Sequence, residues 1–408
     1  MSSTSADSKT TGRLRIEFLD GMRGLAAVYV MFAHLALLAT ANKGAQVLSS
    51  PILAWITRFL SFPHYAVAVF IVLSGFCLML PVVRSKDQKL PGGLLGFAKR
   101  RARRILPPYY AALVLVLALF LGYHFYAQRA GGLGDLSAEG VAELSAGNIV
   151  AHFLLIHDFS SLYSHTLDGP MWSVAWEWHI YFIFALVLLP VWRRLGVVWT
   201  TVFGVALGFL PLVLLPKQYN LNWTCPWYIG LFAFGMTAAV VLCSREDQFR
   251  FVKNRIFLNT ALIVIAATLC ALGIFRPQWI DTDFWWLGDQ LVGAFAALFI
   301  LSSVDQLKPG GLQKLAVKGL EARGTMALGA FSYSLYLIHF PILSKIAHIL
   351  AQHHRSPDAQ FAFLLVIGIP VCVIAAYVFH LAFERPFMPG RPKTERQAEI
   401  AALVSPAP

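Results

Sequence analysis

Charge is the scarcest feature of this sequence. Only 13% of its 408 residues are Asp, Glu, Lys or Arg, and 58% are hydrophobic. Its mean hydropathy is +0.64. Soluble domains carry about 25% charged residues, so a soluble globular chain is excluded and a polytopic membrane protein is indicated. Acidic residues are the rarer sign, 21 against 33 basic, which leaves a formal net charge of +12. Cysteine is sparse as well. The five, at 77, 225, 243, 270 and 372, stand singly in or beside apolar runs, with no pair at metal or redox spacing. That excludes a disulfide framework and leaves them as small packing residues. No internal repeat is visible. The polar opening residues lack the apolar core and cleavage site of a secretory signal. Disordered tails are expected at 1–16 and 388–408, around one transmembrane domain at 17–387, with no appended soluble domain.

What is abundant is long hydrophobic runs. Ten spans are expected, at roughly 18–38, 64–83, 105–127, 172–192, 196–215, 226–243, 256–275, 284–303, 327–350 and 360–383. With the amino terminus in the cytoplasm, 26 of the 33 basic residues fall on the cytoplasmic side. The positive-inside rule selects that orientation, with both termini cytoplasmic. The basic balance is therefore a topology signal, and nucleic acid is not an expected partner. The fold class is all-α. The interruption at 128–171 is expected outside; its apolar stretch NIVAHFLLIHDF is too short to cross and reads as a re-entrant or interfacial helix before span 4. His152, His157 and His165 fall in it with no carboxylate or cysteine at ligand spacing, so no metal site is expected. His353 and His354 read as solvated surface.

Ionisable groups inside apolar spans mark function by default, because they persist where they line a cavity or do chemistry. The first span, FLDGMRGLAAVYVMFAHL, carries Asp20, Arg23 and His34. Arg23 and His34 are eleven residues apart; on a helix that is three turns plus roughly 20° and a rise of about 16 Å. An arginine at the membrane surface thus stands over a titratable imidazole near the midplane. The competing reading is an anchoring arginine and a histidine that merely bonds a neighbouring span.

A second candidate is KRRARRILPPYY, residues 99–110. Its spacing puts Arg101 and Arg104 on one helix face, a fork suited to phosphate. Pro107 and Pro108 read as lying near the helix start, where free N–H donors favour an anion. Anchoring and attraction to anionic lipid is the alternative. A third is GPMWSVAWEWHIYF, residues 169–182, where Glu177 and His179 lie among Trp172, Trp176, Trp178 and Tyr181, with Ser173 nearby. Aromatics alone would make an interfacial belt; a carboxylate among them suits either proton transfer with a histidine or a structural pair between spans. His339 lies mid-span in SYSLYLIHFPI with Tyr333. Ser74 sits in FIVLSGF, whose Ser-Gly pair favours close helix approach. GluArgPro at 384–386 ends the last span.

Together these pieces resemble the integral-membrane acyltransferase-3 family, whose members acylate cell-surface and secreted carbohydrates. LDGMRG followed by His34 resembles its opening motif, an arginine, ten residues and a histidine. FIVLSGF resembles the second element, and Arg101, Arg104, Ile105, Pro107 and Tyr109 the third. MWSVAWEW, SYSLYLIH and GluArgPro complete the order. The resemblance runs from Phe18 to Phe387. It departs at His179, where many members have glutamine, which bears on acceptor choice.

The resemblance implies an O-acyltransferase, acetyl for preference, that draws on cytoplasmic acyl-coenzyme A as substrate, holds no permanent cofactor and delivers to a carbohydrate or glycoside hydroxyl. Asp20, Arg23, Arg101 and Arg104 would form the donor mouth. His34 would be general base or a transient acyl carrier, with Glu177 orienting it. Ser74, Trp172, Ser173, His179, Tyr333 and His339 would support the site or face the acceptor. The bilayer of a bacterial inner or plasma membrane is the expected setting. A transporter or flippase of a glycan or lipid precursor is the other reading, although the paired broken spans of two symmetric halves are not seen. The acceptor's identity, the acyl length, the order of transfer and the oligomeric state are not legible.

Overall fold

The computed structural model describes residues 16–41, 48–129, 144–244, 247–275, 284–304, 312–353 and 355–388. Most of both expected tails, and His354, lie outside them. Among the described residues there is no strand. The helices are α1 (Phe18–Ala41), α2 (Pro51–Phe59), α3 (Pro63–Arg84), α4 (Gly93–Arg129), α5 (Ala146–Phe153), α6 (Met171–Ile183), α7 (Leu189–Leu214), α8 (Tyr228–Cys243), α9 (Arg255–Phe275), α10 (Trp285–Ser303), α11 (Leu312–Leu320), α12 (Arg323–Ala330), α13 (Ser332–Gln352), α14 (Pro357–Phe363) and α15 (Ile369–Phe379).

Nine helical stretches among these residues are long and apolar enough to cross a membrane. One of them, Met171–Leu214, is 44 residues long and holds α6, a π-turn and α7. It bends sharply at Gly196, where φ is 79°. That left-handed backbone suits glycine and strains other residues. The bend falls where the sequence divides spans 4 and 5, so nine stretches carry the ten expected crossings. The chain is an all-α, polytopic membrane protein. Its large outward side chains, such as Val213, Ile256 and Ile263, face the position of lipid.

At the centre stands α8, apolar all round and buried on nearly every side. Its most extensive neighbour is α3. Their backbones meet through two glycines. A Cβ on Gly75 would strike the Phe232 carbonyl, and one on Gly235 the Val72 carbonyl and the Phe76 nitrogen. No larger residue permits that approach. On the other side of α3, α1 packs between it and the pair α12 and α13. Helix α3 is thus shared by the buried core and by the helix that carries Arg23 and His34.

Helix α4 corrects the sequence reading. It begins at Gly93, so the run Lys99–Arg104 is helical and Pro107 and Pro108 lie well inside the helix. They do not mark its start, and no helix N-terminus is offered to an anion there. The two prolines instead free the carbonyls of Arg103 and Arg104 from their usual i+4 donors.

The segment before α6 enters the bundle. Tyr109 donates its hydroxyl to the carbonyl of His152 at 2.9 Å, and Tyr110 to that of Phe153 at 2.9 Å. Tyr109 is five residues beyond Arg104, about 8 Å along the helix. Helix α5 therefore lies near the level of the basic run, which makes this segment re-entrant rather than interfacial. The other end of the fold is tied by Glu384, whose Oε2 accepts from Ser334 at 2.6 Å and pairs with His380 Nδ1 at 2.8 Å.

Candidate active site

His34 on α1 and His339 on α13 face each other. His34 Nδ1 lies 2.9 Å from His339 Nε2, and the rings stack with centroids 5.1 Å apart. His339 is fully buried, and its Nδ1 lies 3.0 Å from the carbonyl oxygen of Leu335. A carbonyl only accepts, so His339 Nδ1 carries the proton. In the neutral ring its Nε2 is then an acceptor, and His34 Nδ1 must be the donor to it. The lone pair of His34 is thereby placed on Nε2, turned away from His339. This is the arrangement a general base needs: one nitrogen fixed, the other open.

A second group of contacts gathers around α3. Ser74 Oγ donates to Glu177 Oε1 at 2.5 Å, and the Tyr181 hydroxyl donates to the same oxygen at 2.6 Å. The Arg101 guanidinium carbon lies 5.9 Å from the centroid of the Tyr181 ring, within cation–π reach. One turn along α3 from Ser74, Cys77 Sγ accepts from Arg23 Nη2 at 3.0 Å, while Arg23 Nη1 pairs with Asp20 Oδ1 at 2.9 Å. Every residue assigned to the donor mouth except Arg104 is therefore within one helical turn of contact with α3 or α6.

The two arginines of the fork separate. Arg101 turns into the bundle, and its Nε is buried without a partner among the described residues. Arg104 is exposed. Glu177 and His34 are not bonded to each other; Glu177 is engaged by Ser74 and Tyr181, and His34 by His339. Tyr333 donates to the Ile105 carbonyl at 3.1 Å, joining α13 to α4. Ser173 Oγ and the Tyr336 hydroxyl are 2.6 Å apart, and the Tyr336 ring lies 5.9 Å from that of His339. Trp172 stands between His165 and Tyr228, with ring centroids 6.0 and 6.1 Å away. His179 faces away from Glu177, and its Nδ1 lies 3.1 Å from Asp158 Oδ2.

Sequence reasoning missed several partners. Cys77 was detectable as the residue one turn from Ser74. Asp289 stands alone as an acid in the apolar run of α10. It holds His64 Nδ1 at 2.7 Å and accepts from Trp227 Nε1 at 2.9 Å. Asp158 had no such signal, since its role depends on the re-entrant path. Among the described residues no group of three His, Cys, Asp or Glu side chains is arranged to hold a metal ion.

The acyltransferase-3 family, described as an acyltransferase domain, matches residues 16–379. The chain is similar to the O-acetyltransferase OatA of Staphylococcus aureus, with 24% identity over 345 residues covering 80% of this chain and 50% of the relative. It thus spans about half the length of those staphylococcal proteins. It is also similar to the acyltransferase MdmB of Streptomyces mycarofaciens, 23% identical over 407 residues and 92% of each chain. No solved structure matches significantly. With the family matched over most of its length and the motif histidines brought into contact, this chain belongs to the acyltransferase-3 family.

Proposed function

We propose that the protein is a membrane O-acyltransferase that moves an acyl group, acetyl for preference, from acyl-coenzyme A at the cytoplasmic face to a hydroxyl of a carbohydrate or glycoside. The observation that carries this reading is the hydrogen-bond relay from Leu335 through His339, which leaves His34 Nε2 as the open base. In the transfer, Nε2 takes the proton of the acceptor hydroxyl as its oxygen bonds to the thioester carbon. The carbon–sulfur bond breaks, and the proton returns to the thiolate, giving coenzyme A as the free thiol.

The basic run gives the donor its polar end. Exposed Arg104 and Arg100 suit the phosphates of coenzyme A, and inward-turned Arg101 suits the arm that follows them. The Asp20–Arg23 pair lies on α1 on the approach to His34. The designation of the staphylococcal relatives as O-acetyltransferases supports acetyl as the group carried. The distribution of basic residues supports cytoplasmic termini, and the setting that goes with this reading is the cell membrane.

The test is thiol release. Protein purified in detergent should free thiol from acetyl-coenzyme A in proportion to acetyl ester formed on an added glycoside. A transporter or flippase would bind a glycan precursor and release no thiol.

A further inference from the structure

Away from His34, buried polar atoms without partners concentrate in the segment between α4 and α6. Both carboxyl oxygens of Asp168, Oδ1 of Asp158, Nε2 of His152 and the indole Nε1 of Trp176 have no hydrogen-bond partner among the described residues. The side chains of His152, Asp158 and Asp168 are 0% exposed, and Trp176 is 5% exposed.

These groups converge. The rings of His152 and His157 stack at 3.9 Å. Asp158 follows His157 and pairs with His179, whose ring lies 6.1 Å from that of Trp176. Asp158 and Asp168 both lie close enough to Tyr109 to act on it electrostatically, and Tyr109 bonds the carbonyl of His152. Leaving one such group unpaired costs about 1–3 kcal/mol. Several in one place require something that bonds them.

The chemistry of the set is mixed. The indole only donates, while His152 Nδ1 lies 3.0 Å from the Asn148 carbonyl oxygen, so the free Nε2 of the neutral ring accepts. Burial pushes the Asp168 carboxyl well above the usual carboxylate range, which favours its protonated form, a donor at one oxygen and an acceptor at the other. Hydroxyl groups, each donor and acceptor, match such a set. No lysine or arginine among the described residues bonds to it, so an anionic ligand would find two acids and no counter-charge. The cluster also adjoins the histidine pair. A Cβ placed on Gly169 would lie 3.5 Å from the Phe340 ring, whose centroid is 5.1 Å from that of His34. Next along the chain, the Pro170 carbonyl accepts from Tyr336 at 3.3 Å.

We propose that the cluster of Asp168, Asp158, His152 and Trp176 is the acceptor subsite, and that it takes an uncharged pyranose ring through its hydroxyls beside His34. This rests on the acyltransferase reading and adds to it a place and a charge preference for the acceptor. The mixed donors and acceptors bind the ring, and a sugar acid's carboxylate would be buried there with no bonded lysine or arginine to balance it.

The experiment uses the full chain in detergent, labelled acetyl-coenzyme A, and the methyl pyranosides of glucose, galactose, mannose, rhamnose and N-acetylglucosamine, with methyl glucuronide as the charged counterpart. The wild type should acetylate at least one neutral glycoside and discriminate against the glucuronide by about tenfold or more in kcat/KM, the scale of one charge or hydrogen bond misplaced. Trp176→Phe, which removes the indole N–H together with part of the ring, and Asp168→Leu should each raise the KM for that glycoside roughly tenfold. The KM for acetyl-coenzyme A should stay at the wild-type value. Thiol release without acetylation of any neutral pyranoside would overturn the inference and leave the acyltransferase reading standing. So would variants that shift only the thermal midpoint. Absence of thiol release from the wild type would overturn the acyltransferase reading and the inference with it.

Discussion

The nitrogen that His34 can offer a hydroxyl is decided by Leu335, a residue whose bond is to another histidine. Its carbonyl fixes the proton of His339, and His339 fixes that of His34. Gln places an acceptor oxygen near the position of His339 Nε2. His339→Gln should therefore retain more activity than His339→Ala, which leaves His34 free to rotate; kcat at saturating donor measures the difference. The arginines should also part company. Arg104→Gln should raise the dissociation constant of coenzyme A about ten- to hundredfold, from a charge-assisted bond of about 1.5–3 kcal/mol, and leave the thermal midpoint in place. Arg101→Gln should lower the midpoint too, because its guanidinium packs on Tyr181. Asp168 gives a pH dependence. Its folded carboxyl keeps its proton to higher pH than the unfolded chain does, so folding stability falls as pH rises above the ordinary carboxylate range of about 4, until the folded group ionises as well. Asp168→Asn removes that slope, and the midpoint of the variant minus that of the wild type should grow from about pH 4 upward. At this scale the sequence exposed residue types inside apolar runs, such as His34, Glu177 and His339. It did not expose who bonds whom. The His34–His339 pair joins residues 305 positions apart, and no periodicity on either helix contains that distance.

Helix boundaries were legible where hydrophobicity alone sets them and illegible where other forces extend them. Helix α4 runs through Pro107 and Pro108, because a proline removes one bond from a long helix while the flanking turns persist. The basic run then continues the helix beyond the apolar part, which a hydrophobic window cannot detect. The depth of α5 was illegible for a related reason. Tyr109 and Tyr110 hold its C-terminal carbonyls from another helix, a tertiary fact without a local signal. The Ser-Gly step of FIVLSGF did announce a close approach, and Gly75 makes it against Phe232 of α8. Gly75→Ala should push two backbones apart, at a cost of about 1–3 kcal/mol or more. A lower thermal midpoint in detergent and reduced yield check it. Both clusters carried by α3, around Ser74 and around Cys77, should loosen with it, so donor affinity should fall although Gly75 touches no donor.

Over the whole molecule, a basic face bears the exposed arginines, a histidine pair with His339 buried and His34 half-buried stands within the bundle, and a re-entrant segment reaches that pair from between α4 and α6. Composition and the distribution of basic residues were enough to expect ten crossings, because hydrocarbon admits few other solutions for a chain this apolar. They could not show that residues 144–171 fold back toward His34, since the polar residues there are the ones water would also select. The central claim is that His34 is the base of an acyl transfer. It is tested most directly by thiol release from acetyl-coenzyme A with a methyl pyranoside as acceptor, comparing wild type with His34→Ala at equal folded protein. The account predicts acceptor-dependent release with ester formed in step, and a loss of about 10²- to 10⁴-fold in the variant with coenzyme A binding retained. Equal release by the variant, or none by the wild type, would contradict it.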